Sequence, residues 1–354
     1  MQAFKNAVFL INPNRFPGYA RKLKKILRIY KASHIVECRR PEDFRREVEA
    51  FAAGEKRFLL IWGGDGTANL AINAYMSAHR RISTTSKALG FLRGGSGNGI
   101  QDSYEVPVSI RAQIRSYLEG MEREYIQPVD LIRADDGKAS LYCQLLGIGL
   151  DARVLEYREG AGRGRPGMMN YIAASLQSWY RDFSLLQDTK ILEMEDGKYA
   201  FKGPRSNAEF PFKHFTRETR SPLIEIATRP YYAKMFKIAP DVVCNSGFMD
   251  IYSFNFIHRR EILSNIFDIW NGWHRRINRQ RAKRDRPVIE RYEVRQVKLM
   301  KREPFAYHAD GELRRCDNPA VEGRYTLHCS IVPSAVNFLV PGSFYRKFHP
   351  FEDL

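Results

Sequence analysis

The chain has 354 residues, 44% of them hydrophobic, which is enough to build two ordinary domains or one large one and excludes a largely disordered protein. Its formal charge of +17 favours polyanionic partners such as nucleic acid, anionic lipid surfaces or phosphorylated ligands. No apolar run reaches the ~18 residues needed to span a bilayer, so no membrane-crossing helix is expected. In chain order, AVFLIN (7–12) reads as a buried strand, and Leu23, Ile26, Leu27 and Tyr30 then recur at helical spacing. HIVEC (34–38) is a short strand. After Pro41, Phe44, Val48 and Phe51 mark a second helix. FLLIW (58–62) is a third strand, followed by a helix face of Leu70, Ala71, Ala74 and Tyr75. ALGFL (88–92) is a fourth, followed by Ile110, Ile114, Tyr117 and Leu118. Strands alternating with helices predict a parallel sheet covered on both faces, with ligands at the carboxyl ends of the strands.

Near residue 126 the rhythm changes. IQPVDLIRA, LYCQLLGIGL, DTKILEME, KYAFKG, SPLIEIATR, MDIYSF and YEVRQVKLM are strand-like, interrupted by helical stretches at 168–181 and 259–274. Three regions are therefore expected. Residues 1–125 form an α/β domain, 126–330 a β-rich domain, and 331–354 a C-terminal segment containing VPSAVNFLVPG that returns to the first domain. The five cysteines are odd in number and contain no CxxC pair, which argues for reduced thiols rather than zinc or disulfides. The opening MQAFKNAVFLINP lacks a signal-peptide cleavage pattern, and a cytoplasmic location is expected.

Three strands of the first domain end in unusual loops. Asn12-Pro13-Asn14-Arg15 follows the first. Gly63-Gly64-Asp65-Gly66-Thr67 follows the third. Arg93-Gly94-Gly95-Ser96-Gly97-Asn98-Gly99 follows the fourth. In a parallel sheet these loops open on one edge. Glycines let backbone N–H groups approach a ligand, and a helix N-terminus favours negative charge. One such loop is a tight turn; several converging ones suggest a polyphosphate site. Asp65 does not suit a bare anion hole, and implies a bridging Mg²⁺ or a hydrogen bond to a ribose. No GxxxxGK[ST] loop is present. Gly162, Gly164 and Gly167 match GxGxxG but follow a charged segment rather than a strand, and read as a loop. Downstream, FAYHADGEL places Asp310 and Glu312 around Gly311 at a turn. Beside a phosphate site, one carboxylate could accept a proton from an attacking hydroxyl and the other hold a metal. His308 reads as a hydrogen-bonded strand side chain. Residues 275–286, RRINRQRAKRDR, contain Arg275, Arg276, Arg279, Arg281, Lys283, Arg284 and Arg286. They read either as a solvated face or as a contact with anionic head groups.

INP, GGDGTANLAIN, GGSGN, LLGIGLDARV (145–154) and the late DGE, in that order, resemble the diacylglycerol/sphingosine/ceramide lipid kinases. The resemblance implies a nucleotide-binding α/β domain, similar to that of NAD kinases, and a larger β-sandwich domain, with the active site in the cleft between them. It implies transfer of the ATP γ-phosphoryl group to a lipid hydroxyl, of diacylglycerol or sphingoid type, by a protein peripherally bound to the membrane. Carried over by motif position, Asp65 organises nucleotide and Mg²⁺. Gly63, Gly64, Gly66 and Thr67 line the phosphates. Asn12 and Pro13 shape the nucleotide pocket, with Gly95, Ser96 and Asn98 in the neighbouring loop. Asp310 acts as general base, and Glu312 supports the metal. Leu70, Gly99 and Ser246 depart from the family's frequent Glu, Asp and Asp, and Ser246 is too poor a Mg²⁺ ligand for a structural metal site there. Two other readings stay open. One is an NAD kinase-like enzyme with a soluble acceptor. The other is a non-catalytic binder of anionic membranes or nucleic acid, although no common nucleic-acid signature is present.

Overall fold

The computed structural model describes residues 4–79, 86–160, 168–202, 207–232, 235–319 and 321–350. Gly162, Gly164 and Gly167 lie outside the described residues. The chain divides into two compact units, Met1–Val129 with Ser334–Leu354, and Asp130–Pro333.

The first unit is an alternation of strands and helices. Its elements are β1 (Ala7–Ile11), α1 (Pro17–Ile29), β2 (Ile35–Glu37), α2 (Pro41–Ala53), β3 (Phe58–Gly63), α3 (Asp65–His79), β4 (Ala88–Arg93), α4 (Gly99–Ser103) and α5 (Ile110–Glu122). β1, β3 and β4 are continuous apolar runs because a parallel strand covered on both faces has no solvent side. Proline at the first position starts α1 and α2, where the missing N–H is no loss, and Ser109 caps α5 by accepting from the Ala112 amide at 3.2 Å. The strands are parallel in the order β4-β3-β1-β2. The chain thus runs from β1 outward to β2, then crosses back to β3 on the other side of β1. The order reverses between β1 and β3, the place where open α/β sheets bind ligands.

The second unit is antiparallel. β5 (Ile126–Asp135) leads into it, followed by β6 (Ser140–Cys143), β7 (Leu145–Gly149), α6 (Leu150–Gly160) and α7 (Met168–Arg181). Then come β8 (Lys190–Lys202), β9 (Asn207–Thr219), β10 (Leu223–Ala227), β11 (Met249–Phe254), α8 (Arg259–Trp270), α9 (His274–Ala282), β12 (Ile289–Lys301), β13 (Phe305–Ala309) and β14 (Glu312–Cys316). The path β14-β13-β7-β10-β11-β12 is one series of neighbours, with β5 and β6 paired to each other. Ile132, Cys143, Leu146, Ile226, Ile251, Val297 and Tyr307, from seven strands, share one buried β-sandwich core. The expected strands DTKILEME and KYAFKG are one strand, β8. Its partner β9 escaped the sequence reading because it is mostly exposed and mixes charges with aromatics, leaving no clean alternation. The helix expected over 259–274 is two, broken at Gly272, whose φ of +70° a helix cannot continue.

The chain returns to the first unit along β15 (Tyr325–Leu339), whose Phe338 pairs in parallel with Leu89, and ends in α10 (Gly342–Phe348). Phe338 packs edge-on against Phe91 and Tyr104 at 4.9 and 5.0 Å.

Candidate functional site

Three loops of the first unit meet at the reversal point. Asn12, directly after β1, donates its amide to the Trp62 carbonyl at 3.0 Å and its Nδ2 to Thr67 Oγ1 at 3.1 Å. Pro13 behind it is buried. β3 ends at Gly63, and α3 begins two residues later with Asp65 in its first turn. The turn is so tight that a Cβ on Gly63 would lie 2.5 Å from Thr67 Cβ. The loop after β4 packs backbone against backbone on this turn. Gly94 N donates to Gly63 O at 2.9 Å, and a Cβ on Gly95 would lie 2.3 Å from Gly64 Cα. Here glycine is demanded by close approach of two chains, not only by turn conformation.

Side chains then lock the loops. Asn98, in the left-handed region at φ +59°, folds back on Gly95, accepting from its amide and donating to its carbonyl, both at 2.9 Å. Asp65 Oδ1 accepts from Ile100 N at 3.1 Å, tying the first turn of α3 to that of α4. Beneath them Gln101 Nε2 reaches the Leu92 carbonyl at 3.2 Å, and Arg93 pairs with the buried Asp102 at 2.6 Å. Gln101 and Asp102 were not singled out from the sequence, where nothing marks them as supports of the glycine loop. Gly64, Asp65, Gly66, Thr67, Gly95 and Asn98 stay partly exposed and Ser96 exposed, so a ligand can reach this rim. The positive end of the α3 dipole favours anions there, while Asp65 opposes a bare one. A carboxylate with neighbouring amide and hydroxyl oxygens is a hard donor set that fits Mg²⁺, a cation that takes much of its coordination from phosphates and water.

The second unit holds a different arrangement. β13 and β14 are joined by the two-residue turn Asp310–Gly311, both at positive φ (+49° and +84°), as a tight hairpin requires. Asp310 is enclosed. Its side chain is 0% exposed. It accepts from Leu145 N at 3.0 Å and Gln144 N at 3.2 Å, and pairs with the equally buried Arg229 at 3.2 Å. Glu312, on the far side of the turn, is partly exposed and 3.3 Å from Arg314 in a surface pair of little energetic weight.

Next to that turn lies a triad of two buried side chains and one partly buried. His308 Nε2 bonds Asp151 Oδ2, and its Nδ1 faces the Gly311 amide at 3.4 Å. Asp151 also accepts from Ala152 N at 2.7 Å. Burial drives the Glu225 carboxyl well above the usual range, and the charge of Asp151 beside it adds to this, so Glu225 is the proton donor of the pair. Burial also works against the Asp151 carboxylate, but the charge and hydrogen bond of His308 outweigh it and hold it below the usual range. The ligand atoms of Asp151, Glu225 and His308 lie within 4.8 Å of one another, close enough for a metal. Gly147 makes room for them: a Cβ there would sit 1.8 Å from Asp151 Oδ2. Sequence reading had noted LLGIGLDARV without a role for Asp151, and missed Glu225 and Arg229. The available signal was a charge inside the apolar run LIEIA.

The basic run lies on α9 and just after it. Arg275, Arg276, Arg279, Lys283, Arg284 and Arg286 are exposed. Arg281 is not: it is 5% exposed, paired with Glu261 at 3.2 Å and bonded to the Asn255 and Pro287 carbonyls, so it pins α9 rather than facing a membrane. Among the described residues, no helix is long and apolar enough to cross a membrane.

Two family models match the chain: the diacylglycerol kinase catalytic domain over residues 6–134, and the YegS C-terminal NAD kinase beta sandwich-like domain over residues 145–340. Three solved structures from Bacillus anthracis str. Sterne, named as diacylglycerol kinases and two of them only provisionally, share the fold. Their TM-scores are 0.63, 0.60 and 0.59 at 14%, 13% and 16% identity, and each match covers 96% of this chain and 98% of the other. No curated protein matches.

Proposed function

The chain belongs to the diacylglycerol kinase catalytic-domain family with a YegS-type C-terminal β-sandwich, and on that premise we propose that it transfers the γ-phosphoryl group of ATP to the hydroxyl of a lipid of diacylglycerol or sphingoid type. The observation that carries this reading is the locking of three loops at the sheet's reversal point: Asn12 to Thr67, Gly94 to Gly63, and Ile100 to Asp65. Such transfer asks for positioning and charge neutralisation more than for covalent chemistry by the protein. Gly63, Gly64, Gly66 and Thr67 present backbone amides and a hydroxyl to the phosphates. Asn12 and Pro13 fix the edge of the nucleotide pocket, and Gly95, Ser96 and Asn98 fix its opposite wall. Asp65 holds Mg²⁺, which when bound neutralises charge on the phosphates.

In the second unit Asp310, held in place by Arg229 at 3.2 Å, is assigned as the general base on the acceptor hydroxyl. Glu312, the partly exposed carboxylate of the same turn, is assigned to support of the metal. The location that follows is the surface of a membrane, where such acceptors reside.

The test incubates the protein with γ-labelled ATP and Mg²⁺ against diacylglycerol, a sphingoid base and NAD. Label is expected in the organic phase with a lipid acceptor and absent with Asp65→Asn. Label in NAD alone, or in no acceptor, overturns the reading.

A further inference from the structure

α8 carries apolar side chains on two sides. Ile262 and Ile269 point into the second unit's core, as expected of an amphipathic helix. Leu263, Phe267 and Trp270, at i, i+4 and i+7, form a second stripe that faces outward, with Leu263 47% and Phe267 78% exposed. The stripe continues past the helix end: Trp273 is 50% exposed, and Trp270 stacks on Phe236 at 5.0 Å beside the exposed Met235. A large aromatic left almost bare in the middle of a helix serves no core.

The surroundings of this stripe are cationic. α9 turns its polar inward residues to the chain, with Asn278 exchanging two hydrogen bonds with Ile289, and turns Arg275, Arg276 and Arg279 outward. Arg276 lies over the Trp273 ring at 5.7 Å and takes up Asp268, the acid of α8 nearest the stripe, at 3.4 Å. Glu261 is neutralised by Arg281 and Arg286. At the N-terminal end of α8, Arg259, Arg260 and Arg286 line a hollow of about 590 Å³. Nearby carboxylates are thus paired off, apart from the exposed Asp285, and the cations remain in excess.

From this we infer that the outer stripe of α8 with Trp273 is a bilayer-insertion surface: its apolar side chains enter the interfacial region, while the arginines of α9 and of the α8 foot engage anionic phospholipid head groups. Tryptophan, leucine and phenylalanine flanked by arginine are the composition that membrane interfaces favour. Charge alone or a short apolar stripe alone holds a protein weakly, and the two together give stable attachment. A second copy of the chain is disfavoured as the occupant, because pairing this face with itself would oppose the same cations. The inference deepens the proposed function by naming the face through which a lipid kinase would reach its membrane.

The experiment measures sedimentation with vesicles of phosphatidylcholine, with and without phosphatidylglycerol, in the absence of ATP. Binding is expected only with the anionic lipid. It should fall about tenfold in Leu263→Ser/Phe267→Ser, in Arg279→Glu/Arg284→Glu, and for wild type in high salt. Brominated acyl chains should quench wild-type tryptophan emission, and less so in Trp273→Phe. All these positions are exposed, and unchanged thermal melts will show that folding is intact. Equal binding by Leu263→Ser/Phe267→Ser and wild type, a Phe267-dependent dimer in sedimentation velocity, or binding to single-stranded RNA in place of vesicles overturns the inference. Phosphorylation of a water-soluble short-chain diacylglycerol should be unchanged in Leu263→Ser/Phe267→Ser. Wild type that phosphorylates the soluble acceptor but does not bind anionic vesicles overturns this surface alone, and wild type that binds them but phosphorylates no acceptor overturns the kinase reading alone.

Discussion

The rim of glycine loops in the first unit and the buried charges around Asp310 in the second are built by opposite means. The rim is made of backbone. Glycines bring Gly64 and Gly95 within the reach of one missing Cβ, and side chains such as Asn98 only fasten the loops. The other arrangement is made of side chains: Asp310 with Arg229, and Asp151 with Glu225 and His308, hold a two-residue turn from beneath. A backbone site stays open to ligands and tolerates loss of a carboxylate. A buried ionic site does not, because each charge there is compensated by one specific neighbour.

The sharpest way to break this contrast is to remove one charge from each. Asp310→Ala leaves Arg229 buried and unpaired, and is expected to cost about 3–5 kcal/mol of stability in a denaturant titration. Asp310→Ala/Arg229→Met should cost less than the sum of its singles; strict additivity would show that the pair is not coupled. Asp65→Asn keeps an acceptor for Ile100 N on a partly exposed side chain. Its stability should stay within about 0.5 kcal/mol of wild type while phosphoryl transfer falls about 10²–10³-fold. Parallel loss of stability would show that Asp65 is a strut and not part of a metal site.

Gly147→Ala comes next. Its methyl group collides with Asp151 and His308, and about 1–3 kcal/mol should be lost. A Gly147→Ala variant as stable as wild type would show that the triad can move apart. The smallest effect concerns pH. Glu225 has its carboxyl raised by burial and then by Asp151, so the folded state binds a proton that the unfolded state releases. The resulting stability is complete below the usual glutamate range and is lost as pH rises through the raised value. Glu225→Gln keeps a neutral donor at every pH. A plot of melting temperature against pH should be flatter for the variant than for wild type on the alkaline side, and identical slopes would place the proton elsewhere.

These two regions also differ in how they could be read from the residues alone. The rim was visible because its chemistry depends on residue types that leave a local mark: glycine clusters directly after continuous apolar strands, with one carboxylate among them. Gln101 and Asp102, which brace it, leave no such mark, since their partners are main-chain carbonyls and an arginine placed by folding. At the turn, DGE was visible as a motif, but the burial of Asp310 was not. Its partners Gln144, Leu145 and Arg229 come from distant parts of the chain. Arg281 teaches the same lesson. It sits in a run of cations, and only the helix phase and the carbonyls of Asn255 and Pro287 turn it inward.

What the sequence determined by itself was therefore periodic or local: a parallel α/β half, an antiparallel β half, the glycine loops, and the Asp-Gly turn whose positive φ values few other residue pairs tolerate. Tertiary structure alone decided which charges are enclosed and which meet solvent. The physical reason is that a carboxylate's role depends on its desolvation and its nearest opposite charge. Both are supplied by segments far away in the chain, through contacts that have no period.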